Sequence, residues 1–307
     1  MKIVFFATTN ESLDLLISLY NKHEILAVIS KRAPNNSKRR NFEKSKIFEF
    51  SYTNKILFLE PTELNRDFED KIKELKPDLF VVVSYGKILK KNLIQMPKFG
   101  TINIHPSLLP LYRGPSPIQN TILNQDINSG FTIIQMNEGV DSGDILYKSK
   151  KFTLTQHEKY EDLLKFLFFE SSKVINSVLT DIEKNKLKPQ AQNINEASYT
   201  KLIKKESGKI DWNKTDLSIY AKYRAFYNWP KIYSFHLQKR FIIHNLKLSE
   251  IKSNNPGKLE KINGNIYVHT STNLLQLESI QLEGKNPIDA SVYFNNFDLS
   301  KTILQTN

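Results

Sequence analysis

Cysteine does not occur in the 307 residues, which excludes disulfides, thiolate metal sites and a cysteine nucleophile and permits a reducing compartment. No run approaches the roughly 18 consecutive apolar residues of a membrane-spanning helix. The N-terminal Lys2-Ile-Val-Phe-Phe-Ala7 run is too short for a signal-peptide core before it passes into Thr8-Thr9-Asn10. A cytoplasmic protein without a membrane partner is expected. The six histidines, at 23, 105, 157, 236, 244 and 269, include no His-Glu-x-x-His and no close pair, so chemistry without a metal is expected. Also missing are a Gly-x-Gly-x-x-Gly after the first apolar run, a Gly-x-x-x-x-Gly-Lys-[Ser/Thr], and a Gly-x-Ser-x-Gly around Ser107 or Ser116. Dinucleotide binding, nucleoside triphosphate binding and serine-hydrolase chemistry therefore lose their motif support.

What is abundant is positive charge. The formal net charge is +12, and residues 31–46 hold seven basic side chains against one acidic, among them Lys31, Arg32, Lys38, Arg39 and Arg40. Such a stretch is either a solvated surface loop or a phosphate-binding one. A chain of 307 residues is long for one compact domain and suits two.

Lys2–Ala7, Ile25–Ile29, Lys55–Leu59 and Asp78–Ser84 read as strands. Between them lie a helix carrying Leu13, Leu15, Leu16 and Leu19, which Asn10 or Ser12 can cap, and a second helix opening at Pro61-Thr62 and ending before Pro77. Asp78–Ser84 is apolar on both faces, as a central parallel strand covered by helices must be. The alternation predicts βαβ units, hence an α/β, Rossmann-like, doubly wound sheet. Further strands are expected at Phe131–Met136 and Ile145–Ser149, then a helix from about His157 to Ile182 with a continuous apolar stripe. The polar, proline-interrupted stretch that follows reads as a linker. The predicted organisation is a catalytic domain over 1–184, a linker over 185–204 and a C-terminal domain over 205–307. Leu217–Phe226 reads as a helix, followed by five short strands with a hairpin at Asn263-Gly264. Five antiparallel strands and 13 basic against 9 acidic residues over 206–307 suggest a small, oligonucleotide-binding (OB-like) β-barrel.

The chemistry centres on 99–119. A short apolar strand there places Asn103 and His105 two residues apart, hence on one face, just before Pro106 and Pro110 break it. Open α/β sheets hold their sites outside the carboxyl ends of such strands. A second polar cluster, Glu138-Gly-Val-Asp141-Ser-Gly-Asp144, follows between two strand-like runs. An amide and an imidazole N–H suit an oxyanion, and the Asp141 carboxylate suits orienting the imidazole and taking a proton from an attacking amine. This predicts acyl transfer from a nitrogen carrier to an amine without a covalent intermediate. Taken singly, His105 could be a bonded turn residue and Asp141-Ser-Gly-Asp144 an ordinary Asx-type turn.

Asn103-Ile-His-Pro-Ser-Leu-Leu-Pro110, the following Tyr112-Arg-Gly-Pro115 and Val140-Asp-Ser-Gly-Asp-Ile-Leu146 resemble the folate-dependent formyltransferase superfamily. Val81–Leu89, Gly100–Asn103, Pro117-Ile-Gln119, Tyr199–Glu206, Gly208–Trp212 and Arg224–Pro230 extend the resemblance over nearly the whole chain. It implies 10-formyl-tetrahydrofolate as donor and the α-amine of methionyl initiator tRNA as acceptor, in a monomer. It further implies that Asn103 and His105 bind the formyl oxygen and that Asp141 manages the amine proton. Ser107, Leu108, Leu109 and Pro110 would line the folate site, Ser84, Tyr85 and Gly86 would wall the pterin, and the basic loop would grip the tRNA acceptor end. Two stretches depart from the family pattern, Ala7-Thr-Thr-Asn-Glu11 after the first strand and Lys31-Arg-Ala-Pro34 with Lys38-Arg-Arg40 in the loop. A sugar N-formyltransferase and a formyl-folate hydrolase would use the same trio; the basic loop and the 199–212 match favour tRNA.

Overall fold

A computed structural model describes residues 1–31 and 45–304. Its strands are β1 (Lys2–Ala7), β2 (Glu24–Ile29), β3 (Leu57–Leu59), β4 (Leu79–Val83), β5 (Thr101–His105), β6 (Asn128–Ser129), β7 (Thr132–Gln135), β8 (Ile145–Lys148) and β9 (Phe152–Thr153), then β10 (Ile232–His236), β11 (Lys239–Lys252), β12 (Leu259–Ile262), β13 (Asn265–His269), β14 (Asn273–Leu282) and β15 (Ile288–Asp289). The helices are α1 (Leu13–Tyr20), α2 (Lys46–Thr53), α3 (Arg66–Glu74), α4 (Lys91–Ile94), α5 (Pro117–Leu123), α6 (Tyr160–Glu183), α7 (Asp216–Ala225) and α8 (Ala290–Phe294). The chain forms two compact units. The first comprises Met1–Pro117, Asn128–Thr153 and Glu161–Lys201, and the second Ile118–Ile127, Leu154–Tyr160 and Leu202–Asn307.

The first unit is a seven-stranded sheet in the order β3-β2-β1-β4-β5-β7-β8. β1 to β5 are mutually parallel, and β7 and β8 are antiparallel additions at one edge. Ile3 through Ala7 and Leu79 through Val83 are buried on both faces, the continuous apolar pattern of strands sandwiched between helix layers. α6 turns Leu163, Leu164, Leu167, Phe168, Ile175, Val178 and Leu179 inward, the stripe its sequence predicts. The register pairs Val82 with Asn103 and His105 with Thr132. The carboxyl end of β5 thus lies between the end of β4 and the start of β7.

Several local expectations change. Neither Asn10 nor Ser12 caps α1 by its side chain: Ser12 Oγ donates to Thr9 O at 2.7 Å, and Asn10 Oδ1 accepts from Lys46 N at 2.9 Å. The helix expected from Pro61 begins at Arg66, because Asn65 Oδ1 accepts the Phe68 N–H at 3.1 Å, while Lys87 Nζ holds the Pro61 and Thr62 carbonyls in the preceding turn. α2, absent from the sequence reading, follows directly on the basic stretch, with Ser45 Oγ accepting from Phe48 N at 3.2 Å. The stretch 185–204, expected as a linker, is bonded into the first unit through much of its length. Gln190 pairs with Ile145, and Tyr199 bridges Arg113. Gln192, Ser198 and Thr200 serve there as bonding partners, while most of its other polar residues are exposed.

The second unit carries an antiparallel sheet in the order β10-β11-β14-β13-β12, with β15 on β14. The tight turn at Asn263-Gly264 takes positive φ at both residues, 49° and 85°, as a two-residue hairpin requires. Trp212 and Phe241 are wholly buried in this unit, and the Trp212 Nε1–H donates to Ser234 Oγ at 3.0 Å.

Candidate active site

Asn103 and His105 leave β5 on the same face, while Ile102 and Ile104 between and before them point into the core and are fully buried. Asp141 arrives from the turn between β7 and β8. Its Oδ1 accepts from Asn103 Nδ2 at 3.3 Å, and its Oδ2 accepts the Gly114 N–H at 2.7 Å and lies 3.6 Å from His105 Nδ1. Asp141 has φ +47°, the left-handed region that Asp tolerates better than most residues. The three residues picked out in the sequence are therefore brought together around one carboxylate.

His105 is 4% exposed, and its Nε2 lies 2.9 Å from the Tyr112 carbonyl. A carbonyl can only accept, so Nε2 carries the hydrogen and Nδ1 is the nitrogen turned toward Asp141. In the neutral ring Nδ1 is a lone pair beside a carboxylate. In the imidazolium both ring nitrogens donate, one to Tyr112 and one toward the site. The expected imidazole N–H for an oxyanion is therefore available only from the charged ring, because the other N–H is spent on the loop.

The loop after β5 closes on itself. Ser107 Oγ donates to Leu111 O at 2.6 Å, and Thr132 Oγ1 donates to Ser107 O at 2.7 Å while accepting the Leu109 N–H at 3.0 Å. Leu109 is wholly buried with Ile134 and Ile145, Pro110 is buried, and half-buried Leu108 rests on Gly130, where a Cβ would come within 2.5 Å of it. Of the four residues expected to line a folate site, Ser107 and Leu109 direct their side chains inward. A role for Ser107 as nucleophile is excluded by the same bond, since its hydroxyl faces Leu111 O rather than His105.

At the end of β4, Ser84 takes φ +47° and Gly86 φ +72°. Between them the Tyr85 ring is buried edge-on to Phe6 at 5.2 Å, and its hydroxyl has no partner among the described residues. Burial pushes that hydroxyl up to about 12. The Tyr85 side chain is thus a core group, while Ser84 is half-buried and Gly86 exposed at the carboxyl end of β4. Lys31 is exposed. Arg32, Lys38, Arg39 and Arg40 lie outside the described residues.

Sequence reasoning gave no role to the layer behind Asp141. Arg113, buried, donates from Nε and Nη2 to Gln192 Oε1 at 3.0 and 2.8 Å and from Nη1 to Tyr199 OH at 3.1 Å. Its main chain is paired on both sides, N–H to Ser198 O at 2.8 Å and C=O from Thr200 N at 2.7 Å. Gly114, at φ +104°, presses against Thr200, where a Cβ would sit 2.9 Å from both the carbonyl and the hydroxyl oxygen. Arg113, Gly114, Tyr199 and Thr200 lie in stretches that carry the family resemblance, whereas Gln192 lies in a polar stretch with no helical or strand period, which reads equally as a solvated linker.

An amide, an imidazole and a carboxylate converge at a strand end, and among the described residues no hydroxyl is bonded to the imidazole as an acyl-enzyme serine would be. The chain belongs to the formyl transferase family: residues 1–179 match the formyl transferase model and residues 202–298 match its C-terminal domain model. It is 31% identical over 311 residues to a methionyl-tRNA formyltransferase of Clostridium acetobutylicum, covering 99% of each chain. Among solved structures it resembles HypX from Aquifex aeolicus in complex with tetrahydrofolic acid, with a TM-score of 0.68, 16% identity and 98% of this chain covered. The match spans 48% of the HypX chain, about half its length. It also resembles WlaRD, a sugar 3N-formyl transferase crystallised with dTDP and 5-N-formyl-THF, with a TM-score of 0.66, 20% identity and coverage of 93% of this chain and 99% of that one.

Proposed function

We propose that the protein transfers the formyl group of 10-formyl-tetrahydrofolate to the free α-amine of methionyl initiator tRNA. The observation that carries this reading is the Asp141 carboxylate held at once by Asn103, 3.3 Å away, and by the Gly114 N–H, 2.7 Å away, with His105 Nδ1 at 3.6 Å. The near full-length likeness to a protein named for that reaction supports the choice of acceptor. A sugar acceptor has support only from a shared fold at 20% identity.

In this mechanism Asp141 accepts a proton from the incoming ammonium and frees the amine to attack the formyl carbon. The uncommitted N–H of Asn103 and the Nδ1–H of charged His105 donate to the oxygen as it gains charge. A carbon–nitrogen bond to methionine forms, the bond to the folate nitrogen breaks, and the amine proton passes to that nitrogen. The proton that Asp141 took from the ammonium passes to solvent, so one proton is released per turnover. The Ser84–Gly86 main chain and the Leu108–Pro110 loop flank the donor. Lys31, Arg32, Lys38, Arg39 and Arg40, with the basic balance of the second unit, meet tRNA phosphates, so binding weakens as salt rises.

Formyl transfer to methionyl-tRNA by the wild type, His105→Ala and Asp141→Asn tests the reading. Each variant should lose at least about 100-fold in kcat. Near wild-type activity of either would remove its assigned role, and transfer to a dTDP-linked amino sugar but not to methionyl-tRNA would replace the acceptor.

A further inference from the structure

The Asp141 turn is held by a side chain that never reaches the reacting atoms. Gln192 Nε2 donates to Asp141 O at 2.8 Å and to Gly143 O at 2.7 Å, and its Oε1 accepts both Arg113 Nε and Nη2. All of the hydrogen-bonding capacity of the amide is used. Arg113 continues into Gly114, whose N–H holds Asp141 Oδ2, so the carboxylate sits in a closed ring of bonds running Asp141, Gln192, Arg113, Gly114 and back. Among the described residues Arg113 forms no ion pair with a carboxylate; its buried guanidinium is satisfied by Gln192, Tyr199 and nothing charged.

A turn with Asp at φ +47° is one that the local chain does not favour by itself, at a cost of about 1 kcal/mol or more. Bonds to the carbonyls of residues 141 and 143 hold its centre, while the Gln135 N–H on the Asp144 carbonyl and Asn137 Oδ1, accepting from Gly139 N and Ser142 Oγ, hold its flanks. We propose that Gln192, with Arg113 behind it, is the positioning residue of the transfer reaction: it fixes the turn from which Asp141 reaches the amine. The proposal rests on the formyl-transfer reading of the site.

Two substitutions separate positioning from mere packing. Gln192→Glu keeps an acceptor for Arg113 and adds an ion pair there, yet sets a carboxylate against the Asp141 and Gly143 carbonyls. Gln192→Ala removes both sides. If Gln192 served only to satisfy Arg113, the Glu variant would behave as wild type. The proposal expects kcat to fall about 10- to 100-fold in both variants, with KM for folate and for methionyl-tRNA within about threefold, as for a displacement of a catalytic group by about 1 Å. Placed on Asp141→Asn, Gln192→Ala should cost less than about threefold more, because it acts through the group already removed. Wild-type kcat in Gln192→Glu, or losses that multiply in the double variant, would overturn the proposal.

An assay free of substrate keeps this separate from the functional reading. Hydrogen exchange at the Gly114 amide should speed up at least about tenfold in Gln192→Ala and in Gln192→Glu when the carboxylate leaves it. Unchanged exchange refutes the positioning role whatever the acceptor is. Absence of formyl transfer in the wild type refutes the functional reading and leaves the exchange result to decide this one.

Discussion

Gly143→Ala is the sharpest probe of how the Asp141 turn is seated. A Cβ there would lie 1.7 Å from Gln135 O, 2.9 Å from Gln135 C and 3.4 Å from Met136 Cα. Carbon needs about 3.5 Å from such neighbours, so roughly 1.5 to 2 Å must be found. β7 cannot supply it, because it is paired on both edges, to β5 and to β8, and its side chains are largely buried. The turn must therefore retreat, carrying Asp141 from His105 and Gly114 and straining the Gln192 bond to Gly143 O. A displacement of about 1 Å in a catalytic group costs on the order of 100-fold, about 2.7 kcal/mol of barrier, and overpacking costs about 1 to 3 kcal/mol of stability. The assay is steady-state formyl transfer beside urea unfolding, with Ser142→Ala as control, since Ser142 Oγ only meets Asn137 Oδ1 at the exposed side of the turn. A Gly143→Ala protein with more than a third of wild-type kcat would refute the seating described.

Thr132→Val deletes the hydroxyl that serves both Leu109 N–H and Ser107 O in a buried place. A loss of about 2 to 3 kcal/mol in urea unfolding is expected, and an unchanged midpoint would show the loop to be held otherwise. Tyr85→Phe removes a buried hydroxyl without a partner among the described residues. It should stabilise the fold by about 1 kcal/mol and leave the folate KM within about twofold; a tenfold rise would put that hydroxyl on the donor instead. Burial holds the His236 imidazole below its ordinary range. The unfolded chain then takes up a proton that the folded chain refuses, so this contribution to stability is full above about pH 6.5 and is lost as the pH falls. From neutral toward acid pH the wild type should lose stability relative to His236→Phe, whereas parallel curves would contradict the assignment.

The elements legible in the sequence are those whose burial is total. β1 and β4 are unbroken apolar runs because helices cover both faces, and α6 displays its stripe over many turns. α2 was not legible: eight residues mixing Phe, Glu, Ser and Tyr behind a run of lysines and arginines carry too short a period. The trio was readable because its chemistry lives in side chains, and a two-residue spacing on a strand fixes a common face. Arg113, Gln192 and Thr200 were not, because their partners are chain atoms, or each other, some 80 positions away. No local pattern encodes such pairing. The same holds for Leu109, whose apolar character fits a ligand wall and a core equally.

The support of the Asp141 carboxylate runs through main-chain groups as well as through the Asn103, Arg113 and Gln192 side chains, and this has a physical consequence. Gly114 N–H, the carbonyls of Asp141 and Gly143 taken by Gln192, and the Tyr112 carbonyl on His105 are present whatever side chain their residue carries, so this share of the geometry is set by backbone path and by the few positions where a Cβ cannot fit. Gly114 and Gly143 are such positions. The departure at Ala7–Glu11 falls outside this set of bonds: Thr8 Oγ1 donates to Tyr85 O and Asn10 Oδ1 accepts from Lys46 N. In the proposed transfer, proton handling at Asp141 depends instead on the ring through Arg113 and Gln192. On the proposed reading, substitutions within Ala7–Glu11 and substitutions within the ring should therefore act independently, because separate stretches of chain carry them.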